Sequence, residues 1–372
     1  MSSSPVSHPS FLRSELPLWV GSIVVLCLWT VGKPLVETPP NAGVLWGLFA
    51  AVFCTMLWLS FRVVHHAECL AERVGEPFGT VILTLSVITI EVVMISALML
   101  QGKEAPTLAR DTMFSVLMIV LNGMLGLTLL LGGLRHHQQV FNLEGARGFL
   151  AVLGSLAFLC LVLPSFTTSS PGSSASPLLS IFLICSSIAL YGVFLFLQST
   201  SHREFYQQPG DDTGPDSHGG HATRSAGYHA AFLILTLLPI VLLSKKIALL
   251  LEGGLESLRA PAALAGFVVA LLVLAPEGLA ACKAAWHNTL QRTVNILLGS
   301  ALATIGLTVP AVLAISMGTG KFIELGLPMT EIVLLAATFF VSLVVFSGNR
   351  TNILAGFVHL VLFGAYLVLI FD

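Results

Sequence analysis

Charge is scarce in this chain. Of its 372 residues only 10% are Asp, Glu, Lys or Arg, whereas 55% are hydrophobic. A soluble domain carries about a quarter charged residues, so there are too few polar side chains to cover a water-facing surface of this size. That excludes a soluble enzyme and a disordered protein. A basic excess is missing as well. The formal net charge is −2, which leaves no electrostatic footprint for nucleic acid. The six cysteines contain no CxxC pair, so they form neither a zinc site nor a disulfide framework and read as small core residues. No Walker A motif, zinc-protease motif or Asp-rich lipid-transferase motif is present. ATP-driven pumping and membrane enzymology therefore lack support, and no cofactor is implied.

What the chain has instead is long apolar runs. A membrane-spanning helix needs about 20 mostly apolar residues. Eleven segments meet that requirement: 17–36, 44–64, 79–101, 112–134, 148–166, 178–198, 228–251, 262–285, 294–316, 328–347 and 352–371. The expected fold is an all-α polytopic membrane protein. Residues 1–43 form a tail and a leading helix, which reads as an anchor rather than a removed signal peptide. Residues 44–198 and 228–372 form two blocks of five spans, and 199–227 is a polar linker rich in His and Asp. An odd number of spans per block forces the second block to be inverted relative to the first, a common transporter design. Lys33 and Lys245–Lys246 lie near span ends, where snorkelling to the interface is the simplest expectation.

Lys and Arg counts set the orientation. With the N-terminus inside, ten fall on the inside and seven outside. The expectation is a bacterial inner-membrane protein with a cytoplasmic N-terminus and a periplasmic C-terminus. Nothing fixes an oligomeric state, a homo-oligomer included.

Two carboxylates stand where carboxylates are expensive. Glu91 lies halfway along the third span, and Glu277 lies past the middle of the eighth, inside a Pro276-Glu277-Gly278 triplet. A charged acid at the bilayer centre costs several kcal/mol even on lenient scales. Each therefore needs a cation, a proton or a partner. The triplet is expected to loosen its helix and free carbonyls near the acid. Each acid sits in the second span of its block. In the following spans, Asn122–Gly123 and Gly299–Ser300 fall at similar depth, where small residues let helices approach and side-chain oxygens complete a cation site. Thr80, Thr84 and Glu91 share one helical face, and Ser300, Thr304 and Thr308 form an i, i+4, i+8 stripe. The competing expectation for these hydroxyls is a bond to their own i−4 carbonyl. The candidate cation ligands are Glu91, Glu277, Asn122, Ser300, Thr84 and Thr304.

Other groups are candidates for the mouth of a pathway or for sensing. Glu76 precedes Pro77 at the start of span three, where it guides cations or favours the positive helix N-terminus. His65 and His66 end span two. A solvated helix end is the first expectation for them, and a pH- or ion-sensing vestibule the second. The linker 199–227 lacks the ordered ligand spacing of a calcium loop and reads as a flexible connection.

Three segments carry a family resemblance: AERVGEPFGTVILTLSVITIEV (71–92), LAPEGLAA (274–281) and NILLGSALATIGLTVPAV (295–312). The chain resembles the calcium/cation antiporter superfamily, specifically its cation/proton exchanger branch and the bacterial ChaA-type antiporters. The resemblance covers nearly the whole chain. It implies that Glu91 and Glu277 are the glutamates that bind cation or proton in turn. Gly79 matches the glycine that opens the first motif. Gly299–Ser300, and more loosely Asn122–Gly123, match the Gly-Ser element. The Gly-Asn pair that precedes each family glutamate is replaced here by Val87–Ile88 and Val273–Leu274, and the His that often follows the second is Gly278. Fewer side-chain oxygens near the acids imply a range that includes Na⁺ and K⁺ beside Ca²⁺. The function so implied is a secondary cation/proton antiporter, not an enzyme, whose partners are inorganic cations, protons and the lipid bilayer. A Na⁺/Ca²⁺-type exchanger without proton coupling is the alternative, and a cation channel a more distant one.

Overall fold

A computed structural model describes residues 11–75, 78–101, 106–170, 172–209 and 224–372. Eight of its helices are long and apolar enough to cross a membrane, and three shorter apolar helices complete the set. In chain order they are α1 (Leu16–Trp29), α2 (Ala42–Val74), α3 (Phe78–Gln101), α4 (Leu108–His136), α5 (Leu143–Phe166), α6 (Pro177–Ser199), α7 (Ala226–Leu258), α8 (Ala263–Trp286), α9 (Leu290–Thr319), α10 (Met329–Val345) and α11 (Ile353–Leu369). Each corresponds to one span read from the sequence. The first is shorter than expected: α1 stops at Trp29, and a separate turn of helix follows at Lys33–Glu37. α2 and α7 are longer than any bilayer core requires, at 33 residues each.

Side chains cap the helices where the sequence supplies acceptors. Asn41, Asn142, Ser176, Ser225 and Asn352 each accept a backbone N–H from the first turn that follows, which satisfies donors that helix starts leave open.

Connections fall on two faces, as successive crossings require. On one face, the loop after α4 pairs with the loop after α10 as two short antiparallel strands, β1 (Gln139–Val140) and β2 (Arg350–Thr351). Gln139 also donates to the carbonyl of Ala285 at the end of α8. On the opposite face, Glu324 N–H donates to Pro106, Arg110 to the Gly326 carbonyl, and Ser165 to the Leu327 carbonyl. Those contacts join the loop after α9 to the loop after α3, to the start of α4 and to the end of α5.

The linker is not wholly a free connection. Its described part folds into a helical turn, Arg203–Tyr206. Tyr206 packs edge-on against Phe149 and Phe194, and its carbonyl accepts from Asn295. In the same turn the carbonyl of Glu204 accepts from Asn142. Asp211, Asp212, Asp216, His218 and His221 lie outside the described residues.

Two apolar cores organise the bundle. One joins α1, α2 and α7 to part of α3 and α8. The other joins α4, α5, α6, α9, α10 and α11 to the remaining faces of α3 and α8. The two glutamate-bearing helices thus stand between the cores. Backbones approach closely where glycines allow it. A Cβ on Gly356 of α11 would stand 2.6 Å from the Leu130 nitrogen of α4, and one on Gly266 of α8 would stand 2.7 Å from the Thr112 nitrogen. Of the six cysteines, all free, only Cys69 and Cys160 are buried. The expectation of core cysteines fails for Cys27, Cys54 and Cys185, which face outward on apolar surfaces.

Candidate cation site

Glu91 on α3 is 1% exposed. It lies thirteen residues after the first residue of α3, and Glu277 lies fourteen after the first residue of α8. The carboxylates are close enough to interact electrostatically. Between them runs α9. Thr304 Oγ1 donates to Glu91 Oε2 at 2.8 Å, Thr308 lies beside the same carboxylate, and Ser300 lies beside Glu277. The i, i+4, i+8 stripe therefore serves both acids, and the expectation of a bond to the own i−4 carbonyl fails for Thr304.

Local backbone explains the placement. The Pro276 triplet was expected to open its helix, yet α8 continues unbroken through Pro276. The loosening occurs on the facing helices instead. Residues 304–308 of α9 and 119–124 of α4 each form a π-helical turn, a form that concentrates at functional sites. Asn122 and Thr304 each lie fourteen residues past the first residue of their helix. By that measure Thr304, rather than Ser300, is the counterpart of Asn122.

Three oxygens remain open at the centre. Glu91 Oε1, Glu277 Oε2 and Thr308 Oγ1 are buried and have no hydrogen-bond partner among the described residues. A buried polar atom left unpaired costs about 1–3 kcal/mol. A cation, or a proton placed on each acid, removes that cost. All donors to such a cation are hard oxygens, which suits Na⁺, K⁺ or Ca²⁺ better than softer metals. Among the described residues no three Asp, Glu, His or Cys side chains are grouped so as to hold a metal ion. The site is accordingly lean in carboxylates.

The other candidates separate from this cluster. Asn122 is fully buried, but its amide donates to Thr338 Oγ1 at 2.8 Å and its oxygen accepts from His359 Nδ1 at 3.2 Å. It joins α4 to α10 and α11 rather than reaching either acid. Thr84 faces the hydroxyl of Tyr191 on α6. Glu76 lies outside the described residues. His65 is exposed, whereas His66 is fully buried, which overturns the solvated-end expectation for it. Its Nε2 lies 3.2 Å from Glu15 Oε2 and its Nδ1 lies 3.1 Å from His229 Nδ1.

That histidine belongs to a polar cluster the sequence did not announce. Glu15, just before α1, is 0% exposed. It accepts from Arg62 at 3.0 and 2.5 Å and from the hydroxyl of Tyr228, and Arg224 lies 3.9 Å away. Its only sequence cue is its place directly before an apolar run. A second missed group lies on the opposite face. Asp111, 6% exposed, pairs with Arg110 and Thr107, and it shares the lining of a cavity of about 20 Å³ with Glu331, Ser115 and Tyr366.

Thr304 donates a hydrogen bond of 2.8 Å to Glu91. A bond to a charged group contributes about 1.5–3 kcal/mol. Thr304→Val is therefore expected to slow exchange by about tenfold or more, with its thermal unfolding temperature near that of the parent. Initial rates in vesicles and unfolding in detergent check both halves.

Comparison with known proteins shows the family to which the chain belongs. The family model described as sodium/calcium exchanger protein matches residues 44–200 and 228–371. The sodium-potassium/proton antiporter ChaA of Escherichia coli (strain K12) is 42% identical over 354 residues, which is 94% of each chain. Among solved structures, YfkE superposes with a TM-score of 0.71 at 19% identity, covering 95% of this chain and 99% of that one. The H⁺/Ca²⁺ exchanger CAX superposes with a TM-score of 0.68 at 16% identity, covering 96% and 89%. With the family match extending over both blocks of helices and across Glu91 and Glu277, this chain is a multi-pass membrane cation exchanger and belongs to the sodium/calcium exchanger protein family.

Proposed function

We propose that the chain is a cation/proton antiporter of the bacterial inner membrane that exports Ca²⁺, Na⁺ and K⁺ in exchange for H⁺. The observation that carries this reading is the set of open oxygens on Glu91, Glu277 and Thr308. Two ionised carboxylates within electrostatic reach of each other in a low-dielectric interior repel each other and lose their hydration. One Ca²⁺ neutralises both, and so do two protons. A monovalent ion neutralises one while a proton neutralises the other. A loaded site passes through an occluded state at modest cost and the empty dianion does not, which makes exchange obligatory. Alternating access then occurs around Glu91 and Glu277, one from each inverted block of five helices. The sodium-potassium/proton relative at 42% identity and the lean carboxylate count both favour a range wider than Ca²⁺ alone. The Lys and Arg bias of ten to seven favours a cytoplasmic N-terminus.

The deciding experiment uses proteoliposomes with a trapped pH dye. Addition of Ca²⁺, Na⁺ or K⁺ to one side is expected to move protons to that side, electrogenically or not, and only with the protein present. Cation uptake with no proton movement overturns the reading in favour of Na⁺/Ca²⁺-type exchange. Cation flux that needs no counter-ion points to a channel.

A further inference from the structure

Far from the glutamates, α1, the helical turn Lys33–Glu37 and α7 form an open cavity of about 310 Å³ lined by Trp29, Lys33, Glu37, Lys245, Lys246 and Leu249. That volume falls in the ~300–1,000 Å³ range of small-molecule sites. Its lining holds three ammonium groups and one carboxylate. Glu37 lies 4.0 Å from Lys33, so the carboxylate faces that lysine and the pair at 245–246 adds an excess of positive charge. Snorkelling was the sequence expectation for this pair. Lys245 follows it and is exposed. Lys246 does not: it is 6% exposed, and its Nζ sits 5.1 Å over the ring of Trp29. An aromatic face holds a cation but supplies no countercharge, and buried charges are ordinarily paired.

Depth identifies what supplies the missing anion. Glu15 and Tyr228 are bonded to each other, so α1 and α7 start from one level. At about 1.5 Å per residue, Trp29 lies roughly 21 Å and Lys245–Lys246 roughly 26 Å above that level. With that level at one boundary of a hydrocarbon core about 30 Å thick, the cavity lies within about 10 Å of the other, where lysine side chains reach lipid headgroups. Below it, α7 carries Leu238 and Leu242 on the face continued by Lys245 and Leu249, and α1 carries Ile23 and Leu26. All four apolar residues are at least 40% exposed. A charged cup above an apolar wall has the form of a lipid: anionic head, acyl tail.

We propose that this cavity binds the phosphodiester headgroup of an anionic phospholipid. Lys245 and Lys246 hold the phosphate, Trp29 closes the inner wall, and the acyl chains lie along Leu238, Leu242, Ile23 and Leu26. The bound lipid ties the leading helix α1 to α7.

The test uses the full chain in neutral detergent. Native mass spectrometry with phosphatidylglycerol against phosphatidylcholine measures retention, and thermal unfolding with short-chain phosphatidylglycerol against inorganic phosphate measures source. Phosphatidylglycerol is expected to stay bound and to raise the unfolding temperature where phosphatidylcholine and inorganic phosphate do not. Lys245→Ala/Lys246→Ala is expected to weaken retention by about tenfold or more, while Lys246→Arg keeps it. Lys245→Ala alone, at an exposed position, gives a partial loss in a protein whose core is untouched. Equal retention by the double variant overturns the site. Equal stabilisation by inorganic phosphate overturns the lipid in favour of a free anion. Binding is read without transport, so failure here leaves the exchange reading intact.

Discussion

Glu91→Gln and Glu277→Gln are each expected to reduce cation/proton exchange by about a hundredfold or more, with the folded protein retained. The amide keeps the shape of the carboxyl group and stays neutral, so the variant mimics one permanently protonated acid. Such a site no longer releases that proton to take up a cation, and a divalent ion meets a single negative charge. A charge-assisted contact is about twice as strong as a neutral one, and the lost attraction acts in a low-dielectric interior. Retained fold follows from the same chemistry. Removing one of two mutually repelling carboxylates relieves strain in the empty protein, and Thr304 can still donate to the amide oxygen at position 91. The expected pattern is therefore low exchange at all pH values with an unfolding temperature equal to or above the parent's. Vesicle assays for Ca²⁺, Na⁺ and K⁺ across a pH series, beside thermal unfolding, check it. Normal exchange by either variant would exclude its glutamate from the cycle. Loss of exchange accompanied by a large fall in unfolding temperature would assign that glutamate a structural role instead.

The parts of this site that sequence made visible were those marked by residue type in an apolar run. Glu91 and Glu277 stood out because carboxylates are costly there, and Ser300, Thr304 and Thr308 because they repeat at helical spacing. All eleven helices were legible for the same reason, since apolar length is a strong signal. What stayed hidden depended on partners distant along the chain or on backbone form. The π-helical turns of α4 and α9 carry no residue signature, and the helix that does contain Pro276 continues through it without a break. Asn122 has the chemistry of a ligand, yet Thr338 and His359, more than two hundred residues away, claim its amide. His66 looked like a helix end in water because nothing nearby in sequence reveals Glu15 and His229 closing over it. Lys246 looked free to reach the interface because Trp29, which covers it, sits on another helix. Local pattern reports which groups are unusual; only packing decides which of them meet.

Glu15→Ala is expected to destabilise the protein by about 3–5 kcal/mol, the range found when one partner of a buried ion pair is removed. The carboxylate is 0% exposed and ties the start of α1 to Arg62 on α2 and Tyr228 on α7. Without it, Arg62 and Arg224 face each other across a buried space with no anion, beside His66 and His229. The same group predicts an acid transition. Burial alone raises a carboxyl pKa, but the hydrogen bonds of Arg62 and Tyr228 and the charge of Arg62 outweigh it and hold Glu15 at about 2, below the ordinary 4.5. A folded-state value below the unfolded one means that the folded protein binds the proton less readily. The stability this carboxylate contributes is complete above about pH 4.5 and is lost as pH falls from there towards 2. Thermal unfolding of the parent should therefore drop across that window. Glu15→Gln, which keeps the size of the side chain, should start lower at neutral pH and drop less steeply. Glu144→Gln serves as the comparison, since Glu144 pairs with Arg147 at an exposed site where an ion pair contributes at most about 1 kcal/mol. An unfolding temperature for Glu15→Gln that matches the parent's at pH 7 would show that α1 is held by apolar packing alone. A matching acid slope would show that other carboxylates, not this one, set the transition.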